Sequence, residues 1–284
     1  MTSDRGSSPA GTLLDEVTTI VSQAAAAILE ARKGALVARA KADHSPVTAA
    51  DEAAETIIMA GLARVLPGIA VVSEEATARS GPIAVGGEFA LVDPIDGTRE
   101  LLAGRDEFTV NVALVRDGRL VLGVVAAPAL GLIWRSADGT GAERIRLPPG
   151  MAASAARDRT PIRCRPWPGE GLVATVSRSH LDQKTQDFLA RLPAHRLVPS
   201  GSAIKLCRVA EGTADVYPRL GATHEWDVAA GHAVLAAAGG LVTAAAGGAL
   251  LYGNAATVFR VDGYVAWGDP AAAARLGYGI TATA

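Results

Sequence analysis

The chain has few cysteines and almost no excess of charge of either sign. Its 284 residues include only Cys164 and Cys207, too few for a disulfide framework, and this fits a reducing cytoplasm. A net charge of −2 and a pI near 6.2 argue against nucleic acid as a partner. An anionic substrate would therefore need local cations, from a metal or from clustered Lys and Arg. Cys207 is predicted to be a small buried hydrophobe in a helix.

The sequence also lacks a recognisable targeting or membrane-spanning segment. Residues 1–10 are polar and contain no apolar core of a signal peptide, so we expect a disordered tail. Residues 228–259 contain no Asp, Glu, Lys or Arg, but they are rich in alanine and carry six glycines. Because these residues give little transfer energy, we expect a buried helix, a turn and core strands there. A cytoplasmic location is expected, and peripheral association with the inner membrane stays open.

Strands and helices are mixed along the chain without an internal repeat, which predicts an α/β (α+β) protein of layered sheets and helices. The predicted helices are 13–33, 48–66, 181–192, 202–211 and 226–238. The predicted strands are 69–73, 89–93, 108–116, 120–126, 132–136, 172–176 and 214–217. Residues 138–171, with five prolines and five glycines, are predicted to be a loop-rich junction. It separates an N-terminal half, 11–150, from a C-terminal half, 151–284.

The most informative motif is Asp-Pro-Ile-Asp-Gly-Thr at residues 93–98, directly after the apolar run 89–92. The run predicts a buried strand, so both aspartates come at its end. Pro94 cannot continue a central ladder, and Gly97 lets the backbone turn tightly. A bare Asp-x-x-Asp more often caps a turn, but this longer string indicates a site that grips a cation and leaves room for a phosphate.

Carboxylates at this point suit a magnesium site. Glu74 lies 19 residues before Asp93, at the end of another predicted strand, although Glu74 could equally belong to a solvated loop. With Asp96 and the main-chain carbonyl of Ile95, these residues offer the oxygen ligands that Mg²⁺ prefers. Two ions could activate a water and neutralise the leaving oxygen. The three-residue spacing differs from the Asp-x-Asp of phosphatases with an aspartyl nucleophile, which favours direct attack by water.

Two further carboxylates each have a structural and a functional interpretation. Asp51 lies in the first turn of predicted helix 48–66, which Thr48 would cap, and it could also orient the attacking water together with Thr98. Asp227 lies at the start of predicted helix 226–238, where a carboxylate is stabilised anyway, and it could also close the metal site from the second half. His232 is predicted to be a packed core histidine rather than a ligand.

The second half also offers groups for an anion. Small residues open predicted helix 202–211, and free amides at a helix N-terminus suit an anion. Ser202 and Lys205 lie in that segment. Arg178 and Arg219 could add positive charge, although most Lys and Arg side chains are merely solvated.

Together these motifs resemble the inositol monophosphatase superfamily of metal-dependent, lithium-sensitive phosphatases, and within it the CysQ branch of 3′(2′),5′-bisphosphate nucleotidases. The resemblance runs from about Lys41 to Gly240. It is carried by the strings at residues 41–51, 72–75, 91–98, 107–114, 177–180, 209–212, 217–219 and 226–234.

The resemblance implies a fold, a site and a reaction. The fold is a five-layer α-β-α-β-α sandwich. Two or three Mg²⁺ ions are held by Glu74, Asp93, the Ile95 carbonyl, Asp96 and Asp227. The catalytic residues are Asp51, Glu74 and Thr98, and the substrate contacts are Gly97, Thr98, Arg178, Ser202, Lys205, Arg219 and Asp227. The reaction removes the 3′-phosphate of adenosine 3′,5′-bisphosphate to give AMP and phosphate, which links the chain to sulfate assimilation.

Two strings depart from the branch and bear on the substrate side. The branch commonly has Lys-Glu-Phe after Asp-Gly-Thr, where this chain has Arg-Glu-Leu at residues 99–101. It commonly has Gly-Ser-Ser-Leu-Lys where this chain has Gly-Ser-Ala-Ile-Lys at residues 201–205. An inositol or sugar-phosphate phosphatase on the same fold is therefore the alternative. A catalytically silent binding module is a third hypothesis, but it would be expected to have lost a metal carboxylate. The protein is expected to be a monomer or a homodimer.

Overall fold

The computed structural model describes residues 8–34, 36–40, 46–179 and 181–278. Within these ranges the helices are α1 (Pro9–Arg32), α2 (Ala49–Val65), α3 (Glu74–Ser80), α4 (Thr98–Leu102), α5 (Gln183–Leu189), α6 (Ile204–Ala210), α7 (Glu225–Ala237) and α8 (Pro270–Arg275). The strands are β1 (Arg39–Ala40), β2 (Pro46–Val47), β3 (Ala70–Ser73), β4 (Glu88–Asp96), β5 (Thr109–Arg116), β6 (Arg119–Ala127), β7 (Leu132–Ala137), β8 (Gly141–Arg146), β9 (Arg157–Pro161), β10 (Leu172–Ser177), β11 (His195–Ser200), β12 (Val216–Arg219), β13 (Thr223–His224), β14 (Leu241–Ala244), β15 (Arg260–Val261) and β16 (Tyr264–Trp267).

Two large sheets and three layers of helices build the fold. A seven-stranded sheet has the order β3-β4-β5-β6-β7-β8-β9, and a five-stranded sheet has the order β11-β10-β12-β16-β14. Helices α1 and α2 pack on the outer face of the first sheet, and α5 and α8 on the outer face of the second. Helices α6 and α7 fill the space between the sheets. This order confirms the expected five-layer α-β-α-β-α sandwich.

The central helix α7 approaches its neighbours closely, and small residues make that possible. A Cβ on Gly123 of β6 would lie 2.5 Å from the Ala230 carbonyl oxygen. A Cβ on Gly231 would lie 2.5 Å from the Leu206 side chain of α6. The uncharged run 228–259 therefore starts as predicted, with a buried helix, a turn and the core strand β14, because alanine and glycine let α7 lie against both sheets. Its remainder, residues 245–259, is irregular and does not form the further core strands that were expected.

Strand β4 ends in an irregularity that sets up the site. In its antiparallel pairing with β5, Asp93 lies opposite Asn111 and Asp96 lies opposite Thr109, with a register shift between the two pairs. Asn111 and Thr109 are two residues apart and share one face of β5. The extra residue in β4 therefore brings Asp93 and Asp96 to the same face, which a regular strand would not do for residues three apart. Pro94 lies inside this bulge, so the ladder is interrupted there although β4 continues to Asp96.

The predicted helices and strands are confirmed at their centres and corrected at their ends. Helix α1 begins at Pro9, whose predecessor Ser8 caps it by accepting a hydrogen bond from the Gly11 amide at 3.2 Å. Residues 9 and 10 thus belong to a helix and not to the predicted tail, while residues 1–7 lie outside the described residues. The predicted helices 181–192 and 202–211 are shorter, as α5 and α6.

Three elements contradict the expected loops. Glu74 and Glu75 begin α3, so they do not lie on a solvated loop. Strands β8 and β9 lie inside the region predicted to be loop-rich. Strand β9 is exposed along its whole length, so its sequence shows no alternation of apolar and polar residues that would indicate a strand. The division into two halves stays a proposal, and the two sheets would move its boundary from residue 150 to between Pro161 and Leu172.

Helix α1 is the one helix of the described residues that is long and apolar enough to cross a membrane, by length and composition alone. Half of its most apolar window is buried within the fold. It packs along α2, where a Cβ on Gly61 would lie 2.6 Å from the Ile20 side chain. We therefore interpret α1 as a helix of the outer core.

Candidate active site

Three carboxylates from three different elements meet at one edge of the first sheet. Glu74 follows the end of β3, Asp93 lies near the end of β4, and Asp227 lies in the first turn of α7. Strands β3 and β4 are parallel, so their carboxyl ends share an edge. One oxygen of each carboxylate lies within 4.8 Å of an oxygen of the other two. This is the chemistry of a site for a hard cation.

The carboxylates open into a cavity of about 230 Å³. Its lining includes the predicted residues Glu74, Asp93, Ile95, Asp96, Gly97, Thr98, Ser202, Lys205, Arg219 and Asp227. The structure thus brings together all predicted site residues except Asp51 and Arg178. Of the residues that depart from the family strings, Arg99 also lines this cavity, as does Glu100, which matches the family string.

The fourth carboxylate, Asp96, carries an electrostatic signature of a cation site. Burial, and next the charge of Asp227, raise the pKa of Asp96 to about 7, while Lys205 and Arg219 oppose this effect. A carboxyl group with so high a pKa takes up a proton readily when no other cation neutralises it. A bound divalent cation would replace that proton and favour the ionised form.

Asp51 and Thr98 form a hydrogen-bonded pair, of which Thr98 lines the cavity. Asp51 is buried and its Oδ2 accepts hydrogen bonds from the Thr48 amide at 2.8 Å and the Thr48 hydroxyl at 2.7 Å, as the N3 residue of a capping box. Its Oδ1 accepts from the Thr98 hydroxyl at 3.2 Å. The Ile95 carbonyl lies equally close to that hydroxyl, at 3.2 Å. Asp51 therefore caps its helix and also contacts Thr98, and its role in orienting the attacking water stays a prediction.

Gly97 allows the two halves of the protein to touch at the cavity. Its φ of +95° lies in the left-handed region that favours glycine, and a Cβ there would lie 2.4 Å from Ser202 Oγ. The Ser202 hydroxyl reaches the Asp96 carbonyl oxygen at 2.7 Å and the Glu107 carbonyl oxygen at 3.1 Å. This contact fixes the start of α6 against the end of β4.

Two buried cations face the carboxylates from the second half. Lys205 is only 2% exposed, and its Nζ donates to the Ser202 carbonyl oxygen at 2.7 Å and lies 5.3 Å from the centre of the Tyr217 ring. Burial alone would lower the pKa of Arg219, but Tyr217, Tyr264, Asp227 and Asp96 raise it above its usual value. The raised pKa keeps Arg219 cationic beside the cavity, and both side chains could bind phosphate oxygens there.

Arg178 lies apart from the cavity lining. Its guanidinium forms an ion pair with Glu107 at 2.6 Å. The same carboxylate accepts from the Gly201 amide at 2.9 Å and the Ser200 hydroxyl at 3.3 Å, and Arg208 lies 3.6 Å away. The predicted substrate contact of Arg178 therefore stays a prediction, and the structure shows a role for Arg178 in holding the segment before α6.

Some functional residues were missed by the sequence reasoning. Glu107 lies in the string 107–114 that carried the resemblance, but the string alone did not indicate its contacts. Glu100 is buried, accepts a hydrogen bond from the Ser179 hydroxyl and lies next to Asp96. Residues 41–45 and His180, which belong to two of the resembling strings, lie outside the described residues.

His232 and the two cysteines have structural surroundings. Burial lowers the pKa of His232 to about 4, and its Nδ1 lies 2.7 Å from the Tyr252 hydroxyl, so it is a packed histidine as predicted. Cys207 is fully buried and Cys164 is partly buried, and both are free thiols.

Comparison with known proteins identifies the class to which this site belongs. Residues 13–275 match the inositol monophosphatase family, and the chain belongs to that family. It is 40% identical over 226 residues to the 3′(2′),5′-bisphosphate nucleotidase CysQ of Escherichia coli O157:H7, covering 79% of this chain and 87% of the relative.

Solved structures agree with this membership. The chain superposes on CysQ from Bacteroides thetaiotaomicron with a TM-score of 0.73 at 32% identity, covering 89% of this chain and 95% of the other. It superposes on an inositol monophosphatase from Anabaena (Nostoc) sp. PCC 7120 with a TM-score of 0.70 at 26% identity, covering 91% of each.

Proposed function

We propose that the chain is a magnesium-dependent 3′(2′),5′-bisphosphate nucleotidase that hydrolyses adenosine 3′,5′-bisphosphate to AMP and phosphate. One observation carries this proposal: a carboxylate cluster suited to Mg²⁺ and two buried cations line the same cavity, in a chain 40% identical to a CysQ nucleotidase. The alternative of an inositol or sugar-phosphate phosphatase is less favoured, since the inositol monophosphatase of Anabaena is only 26% identical.

Glu74, Asp93, Asp96, Asp227 and the Ile95 carbonyl would hold the ions, because they supply only oxygen donors. Mg²⁺ supplies charge that neutralises the phosphate and makes a water a better nucleophile. Two or three ions are proposed, by similarity to the family. The raised pKa of Asp96 supports this assignment, since the site is electrostatically incomplete without a cation.

The chain's own residues position water and phosphate. The Thr98 hydroxyl donates to either Asp51 or the Ile95 carbonyl. If the Ile95 carbonyl held a metal ion, the Thr98 hydroxyl would donate to Asp51, and its oxygen would keep a lone pair that could orient the attacking water. The bond from the water oxygen to phosphorus forms, and the bond from phosphorus to O3′ breaks. The proton of the attacking water passes through the Thr98 hydroxyl to Asp51, O3′ takes up a proton from solvent water, and Asp51 returns its proton to solvent, so protons balance over the turnover.

The second half binds the rest of the substrate. Lys205 and Arg219 lie at the cavity and would pair with phosphate oxygens, and Ser202 and Gly97 line the same cavity. We further propose a place in sulfate assimilation, sensitivity to lithium and a cytoplasmic location, all by similarity to the nucleotidase branch. A small phosphorylated molecule, and no nucleic acid, is the proposed partner.

The test is product identity. Purified protein with Mg²⁺ should convert adenosine 3′,5′-bisphosphate to 5′-AMP and phosphate, separated by liquid chromatography. Chelation of the metal should abolish release. Formation of 3′-AMP, or release that survives chelation, would contradict the proposed regiochemistry or the proposed cofactor.

A further inference from the structure

Two buried polar side chains lie beside the carboxylate cluster without a hydrogen-bond partner among the described residues. They are Asn111, through both its amide nitrogen and its amide oxygen, and Thr109, through its hydroxyl. Both residues are 0% exposed. An unsatisfied buried amide costs stability, so a native protein that keeps one normally uses it to contact a water, an ion or a moving group.

The register of the sheet places Asn111 against a carboxylate of the site. Asn111 lies directly opposite Asp93 on β4, and side chains of opposite residues on one face lie about 5 Å apart at their Cβ atoms. On its other side Asn111 lies opposite Val125 of β6, which is buried and offers no polar atom. Asp93 is thus the polar cross-strand neighbour of Asn111.

The same face of β5 looks toward the central layer. Ala113 and Val115, which share the face of Asn111, belong to the core cluster that contains α6 and α7. Helix α7 carries Asp227 in its first turn. Asn111 therefore shares the inner face of the sheet with Asp93 and is not among the residues that line the cavity. Its chemistry suits this place because an amide can donate two hydrogen bonds to a carboxylate.

We propose that Asn111 is a positioning residue of the magnesium centre, whose carboxamide holds the Asp93 carboxylate in its ligating orientation through one ordered water. Residues that hold the ligands of a metal commonly change its affinity about 10- to 100-fold when they are removed. This inference rests on the proposed magnesium centre. It explains why β5 keeps an unpaired amide at a point where an apolar side chain would fit the core.

The sequence offers an unusually clean probe of this role. Asn111 and Asn254 are the only asparagines of the chain. Protein labelled with ¹⁵N-asparagine should give two pairs of side-chain amide signals in a proton–nitrogen correlation spectrum. Titration with MgCl₂ should move the Asn111 pair and leave the pair of the exposed Asn254 in place. Asn111 signals that stay fixed while Mg²⁺ raises the melting temperature would overturn the proposal, and this experiment needs no variant.

The Asn111→Leu variant then separates positioning from packing. Leucine is close in volume and removes the unpaired amide, so the metal-free protein should be as stable as the wild type or more stable in urea unfolding. Its Mg²⁺ affinity by titration calorimetry should fall about 10- to 100-fold. An unchanged affinity, with or without lower stability, would reduce Asn111 to a structural residue. A wild-type protein that fails to bind Mg²⁺ would instead refute the proposed function, and the inference with it.

Discussion

Replacing Asp96 with asparagine should stabilise the metal-free protein while it removes activity. Burial and the charge of Asp227 raise the pKa of Asp96 from 3.8 to about 7. The folded protein thus holds the proton of this group more tightly than the unfolded chain does. The stability of the metal-free protein therefore falls as pH rises from 3.8 to 7, and the full loss of stability is present above pH 7. The difference between the two pKa values corresponds to a loss of about 4 kcal/mol in the free energy of unfolding. Because the Asp96 side chain is partly accessible to solvent, we expect a loss of about 2 kcal/mol.

The assay is urea unfolding in the presence of a chelator at several pH values. The Asp96→Asn variant should match the wild type near pH 4 and become more stable than it by about 2 kcal/mol near pH 8. Mg²⁺ should raise the stability of the wild type but have little effect on the variant, and turnover should fall by at least 10³-fold because a ligand is lost. The fold should survive, since asparagine keeps the shape of the side chain.

The matched control is Asp138→Asn, at an exposed aspartate that follows β7. It should change neither the Mg²⁺-dependent stabilisation nor the turnover. Our reasoning would be refuted by an Asp96→Asn variant that keeps near-wild-type turnover. It would also be refuted if this variant were less stable than the wild type across the whole pH range, because the buried charge would then contribute favourably without a cation.

Further predictions concern the contact between the halves and a buried histidine. The Glu107→Gln variant removes the ion pair that holds Arg178, so the segment before α6 should loosen. The KM for the nucleotide should then rise about tenfold, or about 1.4 kcal/mol, with a smaller change in kcat, and an unchanged KM in steady-state kinetics would count against this contact. Gly97→Ala forces a side chain into the left-handed region and against Ser202, so we expect a loss of about 1–3 kcal/mol in thermal unfolding together with lower activity; a variant as stable and as active as the wild type would disprove the close approach. Burial lowers the pKa of His232 from 6.5 to about 4, so the unfolded chain binds more protons than the folded protein in this pH range. The stability should therefore fall as pH drops from 6.5 to 4, by at most about 1.4 kcal/mol per pH unit. The His232→Gln variant should flatten this dependence in urea unfolding, and an unchanged slope would show that other groups cause it.

Much of the metal site could be predicted because its residues lie in short strings at the ends of apolar runs. Asp93 and Asp96 follow a buried strand, and Gly97 marks the turn that lets Ser202 approach. The sequence could not show why two aspartates three residues apart share a face, because the bulge in β4 depends on its pairing with β5. Pro94 indicated an interrupted ladder, but not that the strand continues beyond it.

Contacts across the two halves were the hardest to predict. Glu107 is far in sequence from Arg178, Gly201 and Arg208, and a single charged residue gives no sign of its partners before the fold is known. The exposed strand β9 was missed because periodicity reports burial on one face, and β9 has none. Helix α3 was missed because seven residues are too few to show a helical period.

The most direct test of the account compares two substrates. Phosphate release with Mg²⁺ should be measured side by side for adenosine 3′,5′-bisphosphate and inositol 1-phosphate, as kcat/KM. The account predicts a preference of at least about 100-fold for the nucleotide, or about 2.7 kcal/mol, because Lys205 and Arg219 offer charge for a second phosphate. A preference for the inositol ester would contradict it, and would show that the metal chemistry serves a different substrate in this chain.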